Sequence, residues 1–439
     1  MQVVSTGDKI KKLRIDVGLN QEDLTNDEIT RSLISMIENN KRSLTYKTAQ
    51  VIAASLNQYY HNLGREITAD YLLETDEAQA QRLVKEMLKD MQGILKNPVP
   101  GNEVAVEQSF QRLIQFSKDW GLDSVIAELL EIRGNYYFDT YQYSDALKDL
   151  LAAQEYYLQQ GNYEKAAYVY NVIGMTHYHL MLFDQALLYY EMAEKTVRGY
   201  ASEHREKLLM YVTYNRILSY RRLHQYDLAL KEIYTFKNLN YHDPGYYYEV
   251  LLVEANTYRD LHNYEKADKI YQRLLKKENK LPSNSMFLVY ENVARLHYSQ
   301  GDLGRSFEAI QAALAYQEQA KPQYVVSLMN IEAKVYFAEG NYDAAIKAID
   351  RATTLAEKIN RIELTLQLQF LLVDIYLELK QYSLVEKSLD SIYRLIKNRK
   401  MKEQLIRLNA YYIMLYTLTK NHDRLLKYSQ ELVIITGSN

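Results

Sequence analysis

Few residues of this chain are spaced to do covalent chemistry. There is no cysteine among its 439 residues, which removes thiol nucleophiles, disulfides and cysteine-based zinc sites together. Of nine histidines, His177 and His179 stand two apart, so on a helix they point to different faces and make poor joint metal ligands. His177 and His297 fill a recurring aromatic position, and His224, His262 and His422 fall at or beside turns. No HExxH, P-loop or GxGxxG pattern occurs, and the carboxylates read as solvated helix faces. The residue types that do return at a regular interval are asparagines and cations, and their chemistry is non-covalent. An asparagine offers a donor and an acceptor together, which suits an extended backbone with unpaired groups. A binding protein with no enzymatic activity, no metal and no cofactor is expected.

A repeat positions these residues. An aromatic residue (Tyr137, His177, Tyr220, Tyr258, His297, Tyr336, Tyr376) is followed six positions later by a second large one (Tyr143, Phe183, Tyr226, Tyr264, Leu303, Tyr342, Tyr382). Three further on stands a third member, usually alanine (Ala146, Ala186, Ala229, Ala267, Ser306, Ala345, Val385), and these are 38 to 43 residues apart. A fixed period of this size marks a solenoid of helical hairpins. Neither helix of a hairpin can bury its apolar stripe alone, so each stacks on the next. Gly134 and Gly174 read as crossing points where two helices approach closely, and Ser144 reads as the N-cap of a second helix. Pro244, Pro282 and Pro322 fall between hairpins, where a missing N–H costs nothing. The small/aromatic/aromatic/alanine order resembles the tetratricopeptide repeat, although that repeat usually has about 34 residues. A degraded eighth unit, with His422 and Leu425, closes the series.

Residues 7–58 break this period. They predict short helices around a small core of Ile10, Leu13, Leu24, Ile34, Ile37, Val51, Ile52 and Leu56. Asn20 can cap the second helix with Asp23 as its reciprocal partner. A short helix, a turn and then TRSLISMIENNKR read as a helix-turn-helix. The predicted fold is all-α: a helix-turn-helix domain over 1–64, a helical linker over 65–101, and over 102–439 a right-handed superhelical solenoid of seven clear hairpins plus the degraded one.

The run GDKIKKLRIDVGLNQEDL, ITRSLISMIENNKR and AQVIAASL resembles the DNA-binding domain of the Xre and phage-repressor family. That resemblance implies a buried pair between Arg14 and Glu38. It implies a phosphate contact by Gln21, a groove-facing set of Thr30, Arg31, Ser32 and Ser35, and backbone contacts by Asn39, Lys41 and Arg42. Two positions depart from the family pattern: Thr25 stands in place of an alanine, and Asn40 in place of a glycine. Asparagine tolerates the left-handed conformation a glycine would supply there. Net charge does not announce DNA, since residues 1–64 hold eight Lys/Arg and seven Asp/Glu. Phosphate binding then has to come from local placement and helix N-termini.

An Xre-like domain ahead of tetratricopeptide-like repeats, over the full chain, resembles the RRNPP family of Gram-positive peptide-pheromone receptors, and in repeat length its NprR-type branch. The resemblance implies a short imported signalling peptide on the concave face of the repeats and control of transcription through an operator. In such hairpins the first helix lines the concave face at positions three before, one after and four after the crossing residue. This register selects Asn135, Asn171, Tyr178, Tyr214, Arg221, Asn256, Arg259, Glu291, Arg295, Asn330, Lys334 and Phe337, with Glu131 and Asp374 beside them. Family receptors hold the peptide backbone with asparagines, a role that Asn171, Asn256 and Asn330 match; Asn215 and Asn292 lie one position to the side. Arg221, Arg259, Arg295 and Lys334 outnumber Glu291 on this face, so an acidic side chain or a C-terminal carboxylate is the expected ligand group.

No stretch reaches 18 apolar residues, the N-terminus carries no signal peptide, and 25% charged residues with a net charge of −3 fit a soluble cytoplasmic protein. Since an Xre-like domain reads about half a site, a homodimer is expected, with a contact on Ile413, Leu415, Leu418 and Leu425. Two other readings fit the same architecture. In one the repeats bind a protein partner, such as a sporulation response regulator. In the other they serve only oligomerisation.

Overall fold

The computed structural model describes residues 2–96, 102–199, 203–240, 243–277, 281–397 and 401–437, and every regular element among them is a helix. They fall into two compact units, residues 1–224 with 239–241, and residues 225–238 with 242–439.

The first unit opens with α1 (Thr6–Asp16), a 3-10 turn (Gln21–Leu24), α2 (Arg31–Glu38), α3 (Tyr46–Tyr60) and α4 (Ala69–Leu73). Ile10, Leu24, Ile34, Ile37, Ile52 and Leu56 are all buried in one core, with Leu13 and Val51 packed at its edge. Ile67, Ala69 and Leu72, in the segment read as linker, join the same core. The expected second helix is a single 3-10 turn, closed by the Asn20 N–H on Asp23 Oδ2 at 2.6 Å and by the Thr25 hydroxyl on the Glu22 carbonyl at 2.7 Å. Thr25 therefore ends the turn with a hydrogen bond that alanine could not make. Asn40 follows α2 with φ 57°, and its side chain accepts from the Gly7 N–H and donates to Ser5 Oγ. A Cβ on Gly7 would lie 2.2 Å from the Ile37 carbonyl oxygen, so only glycine lets α1 approach the end of α2.

There follow α5 (Asp76–Lys96), α6 (Glu103–Asp119), α7 (Asp123–Asp139), α8 (Tyr143–Gln159), α9 (Tyr163–His179), α10 (Phe183–Arg198) and α11 (Arg205–Arg222). Ala80, Val84, Leu88 and Met91 of α5 pack with Val106, Phe110 and Leu113 of α6 and with α7. The linker segment thus feeds both the small domain and the first repeat layer. The second unit holds α12 (Tyr226–Lys237), α13 (Pro244–Asp260), α14 (Tyr264–Leu275), α15 (Ser283–Ser299), α16 (Leu303–Leu314), α17 (Pro322–Ala338), α18 (Tyr342–Lys358), α19 (Ile362–Glu378), α20 (Tyr382–Ile396), α21 (Lys402–Leu418) and α22 (His422–Gly437).

The six-residue spacing between the two aromatic members is the length of a turn. In the first hairpin the carbonyl of Tyr137 accepts the N–H of Gln142 at 2.8 Å, and the residue between, Tyr141, takes φ 64°. The same bond closes His177 to Leu182, Tyr258 to Asn263, His297 to Asp302, Tyr336 to Asn341, Tyr376 to Gln381 and Tyr416 to Asn421. This is the Schellman closure of a helix end. Its left-handed residue is glycine only at Gly301 and Gly340; Met181, His224, His262, Lys380 and Lys420 adopt it as well. The second aromatic member is the first residue of the next helix, so the N-cap is Gln142 and not Ser144, which lies inside α8. Asn263, Asp302 and Asn341 occupy the equivalent position and cap with their side chains.

The crossings are as tight as their residue sizes require. A Cβ on Gly134 would lie 2.8 Å from Leu150 Cγ, and one on Gly174 would lie 2.5 Å from the Tyr190 ring. Where serine replaces alanine, the Ser306 hydroxyl donates to the Ala294 carbonyl at 2.8 Å across the crossing. The eighth hairpin is well formed, with Tyr412 stacked on Tyr428 at 4.2 Å and on Tyr416 at 6.0 Å. Leu415, expected at an apolar end, is buried in that packing; Met414, Leu418, Leu426, Val433 and Ile434 are the large apolar residues exposed there.

Candidate functional site

The helix-turn-helix face is built on a buried ion pair. Arg14 Nε and Nη2 reach the two oxygens of Glu38 at 2.7 and 2.9 Å, and Arg14 Nη1 donates to the Leu19 carbonyl. Glu38 is only 3% exposed. Burial disfavours its charged form, but the hydrogen bonds from Arg14 and Gln21 outweigh this and hold the carboxyl below its ordinary range. The pair fixes the end of α2 to the end of α1, so α2 presents its opposite face outward. Thr30 caps that helix on the Leu33 N–H. Arg31 and Ser32 are exposed, Ser35 is half-buried, and Asn39, Lys41 and Arg42 are exposed beyond the helix. Arg31 pairs with Glu22 in solvent, a contact worth little and easily exchanged. Gln21, expected at a phosphate, is half-buried and donates Nε2 to Glu38 at 2.7 Å, which makes it a support for the ion pair.

In the repeats of the first unit the register-selected residues are partly paired with one another. Asn171 is buried, and its Oδ1 accepts from Asn215 Nδ2 at 3.0 Å. The structure thus brings in Asn215, one position to the side of the predicted register. Asn135 reaches Tyr168 Oη only at 3.5 Å. Glu131 accepts from the Tyr157 hydroxyl at 2.6 Å and from Lys165 at 3.0 Å. Tyr178 stands edge-on to Phe183, while Tyr214 and Arg221 are half-buried on α11.

In the second unit the expected wall of free cations is mostly neutralised. Arg259 bonds Asp260 at 2.8 Å and Asn292 Oδ1 at 3.1 Å, and Asn256 takes the Tyr271 hydroxyl at 2.5 Å. Arg295 is held by Glu291 and by Ser327, which in turn donates to Glu291 at 2.8 Å. Burial penalises the Arg295 cation, yet the Glu291 carboxylate prevails and raises its pKa.

Lys334 is different. Half-buried on α17, it makes no hydrogen bond or ion pair among the described residues. Burial, then Arg295 and Arg407, lower its pKa. Arg407 of α21 lies 4.0 Å over the Phe370 ring. Asp374 of α19 attracts both cations electrostatically and accepts from the Tyr411 hydroxyl at 2.6 Å, with burial pushing its own pKa up. Sequence register missed Arg407 because the degraded eighth hairpin carried no usable crossing residue. One turn before Lys334, the buried Asn330 leaves Oδ1 without a hydrogen-bond partner. One turn after it, Phe337 lines a cavity of about 460 Å³ with Asp374, Leu377, Glu378, Ala410, Tyr411, Met414 and Leu418.

No group of three or more His, Asp or Glu side chains that could hold a metal ion occurs among the described residues. No helix among them is long and apolar enough to cross a membrane.

Residues 7–77 match a helix-turn-helix domain family, and residues 252–325 match a tetratricopeptide repeat family. A search of curated proteins found no significant match. Among solved structures, the chain is similar to a STAND signal-transduction ATPase with a tetratricopeptide repeat sensor from Pyrococcus horikoshii. The TM-score is 0.51 at 15% identity, over 90% of this chain and 67% of that one. A tetratricopeptide repeat protein from Parabacteroides merdae aligns at TM-score 0.48 and 18% identity, covering 64% and 97%. The apo quorum sensor NprR from B. thuringiensis aligns at TM-score 0.46 and 14% identity, covering 88% and 94%. The chain is an all-α protein with an N-terminal helix-turn-helix domain followed by tetratricopeptide-like helical hairpins.

Proposed function

We propose that this chain is a cytoplasmic transcription regulator of the peptide-receptor kind, without enzymatic activity. It reads double-stranded DNA with α2 and is controlled by a short linear signalling peptide held on its repeats. The observation that carries the DNA half is the division of labour on α2. Its inner face is locked by Arg14, Gln21 and Glu38, and its outer face presents Thr30, Arg31, Ser32 and Ser35, with Lys41 and Arg42 beyond. Such a helix can lie in the major groove, where a good base contact is worth about 1–3 kcal/mol of discrimination. The peptide half is supported by one buried groove asparagine, Asn330, whose Oδ1 has no hydrogen-bond partner. An isolated helix-turn-helix reads about half a site, so the regulator acts as a homodimer on an inverted repeat.

In vitro selection of duplex DNA by the full-length protein, followed by binding titration, tests this reading. Arg31→Ala with Ser35→Ala should reduce affinity for the selected sequence to the level of random DNA while the helical content stays intact. An unchanged footprint for that double variant removes α2 as the reader. If the protein selects no sequence but retains a response regulator from its own cells, the protein-partner reading takes over.

A further inference from the structure

We propose that the cleft between α17, α19 and α21 is built for the last residue of an extended peptide. The free carboxylate lies between Lys334 and Arg407, its N–H on Asn330 Oδ1, and an apolar side chain in the cavity beside Phe337, Leu377 and Met414. This rests on the peptide-binding reading above and names the end of the peptide that the second unit holds.

The cations come first. Lys334 has no hydrogen bond or ion pair among the described residues, although it is half-buried. Arg407 has an aromatic face under it, a hydrogen bond to Tyr411, and no carboxylate in ion-pair contact among the described residues. Asp374, the acid that attracts both, accepts with one oxygen from the Tyr411 hydroxyl. On the other side Arg295 is held by Glu291, and its charge still disfavours the Lys334 cation. The Lys334 ammonium is taken partly out of water with Asp374 as its counter-charge but with no hydrogen bond, and burial outweighs that attraction. A carboxylate entering here meets Lys334, which no hydrogen bond among the described residues uses, and Arg407, a fork of five N–H donors of which one hydrogen bond goes to Tyr411; charge-assisted hydrogen bonds are the strong ones.

Asn330 decides what kind of carboxylate this is. It is 6% exposed, its Oδ1 has no partner, and it stands one helical turn before Lys334 on the same face. A simple anion has no use for that acceptor. The final residue of a peptide supplies a donor N–H and a carboxylate in one rigid unit. The cavity beyond Phe337 then sorts side chains. Its wall is Phe337, Leu377, Ala410, Met414 and Leu418, and its acids, Asp374 and Glu378, repel a second negative charge. An apolar last residue fits, whereas an internal aspartate or glutamate would present the carboxylate without the backbone N–H in register.

The test uses the full-length protein and three heptapeptide libraries, with retention read by native mass spectrometry. One library lacks Asp and Glu and ends in a free carboxylate. The second is the same mixture amidated at its C-terminus. The third is amidated and carries one Asp or Glu at a varied position. The proposal expects retention of the first library, enriched in apolar last residues and favoured over the second by on the order of tenfold or more. Lys334→Met should erase that preference. Equal retention of the first two libraries overturns the carboxylate subsite and leaves peptide binding standing. Preferential retention of the third overturns the terminal assignment in favour of an acidic side chain. Retention of no peptide from any library overturns both this proposal and the peptide reading beneath it.

Discussion

The side-chain amide of Gln79 pairs with both backbone groups of Val4. Its Oε1 accepts the Val4 N–H at 2.7 Å and its Nε2 donates to the Val4 carbonyl at 3.2 Å. Val3 packs on the core of the first repeats. Next along the arm, Ser5 caps α1 and takes a hydrogen bond from Asn40, which also holds the Gly7 N–H. The arm therefore ties the end of α2 to α5. A second tie runs through Glu74, which Arg82 grips with Nε at 2.9 Å and to which Lys9 donates at 3.4 Å.

Gln79→Ala should therefore loosen the arm. Two backbone groups lose their partner, at a cost of roughly 1–3 kcal/mol. Because the chain has no native cysteine, labels at Lys41→Cys and Lys148→Cys report the placement of the end of α2 against α8. Pulsed electron-spin distance measurement should give a narrow distribution in the parent and a broad one in Gln79→Ala. Equal widths would show that the arm holds nothing.

Glu38→Ala strands the Arg14 charge in a buried site and should cost about 3–5 kcal/mol. In calorimetry of the full chain the small domain should melt earlier while the repeats melt as before. The pH dependence has a definite sign. Glu38 is held below the ordinary carboxylate range, so its contribution is complete above that range and is lost as pH falls through its folded-state value. The gap between parent and variant should close in acid.

Gly174→Ala tests the crossing. The new methyl group would meet the Tyr190 ring at 2.5 Å, and Tyr190 is fully buried, so overpacking should cost roughly 1–3 kcal/mol. A thermal melt unaffected by the change would mean that the hairpin relaxes freely.

Much of this was readable from the chain because a repeat reports the same physics many times. The aromatic pair six apart is a helix end and the next helix start, and Gly134, Gly174 and the alanine series are the crossings. The Arg14–Glu38 pair was legible from its context in the helix-turn-helix motif. The binding face was legible only in part. Register says which residues share a face, but not which of them satisfy one another. Asn171 spends its acceptor on Asn215, Arg259 spends its charge on Asp260, and Arg295 spends its charge on Glu291. Those pairings depend on how neighbouring hairpins stack. Arg407 had no register at all, and Ser144 was displaced as a cap because the helix begins two residues earlier than such a cap requires, on the aromatic member itself.

Lys334→Met should stabilise the protein while harming its function. The Lys334 pKa is lowered in the fold by burial and by Arg295 and Arg407. The charged form therefore costs the native state, and stability should rise as pH climbs from its folded value toward the ordinary lysine range. Removing the charge should add about 1 kcal/mol near neutral pH, and the gain should shrink in alkali. A melting temperature that falls at neutral pH would contradict an unpaired cation at this position.

The central claim is that one chain couples a peptide on its repeats to DNA on α2. The direct measurement is the affinity of the full-length protein for its selected DNA at fixed salt, with and without a saturating peptide retained from the free-carboxylate library. Coupling of about 1–3 kcal/mol, a change of roughly 5–150-fold, is the expected scale. The same factor should appear when peptide affinity is measured with and without the DNA. Identical DNA affinities in the two states would contradict the account, leaving a DNA-binding domain and a repeat domain that share a chain without controlling one another.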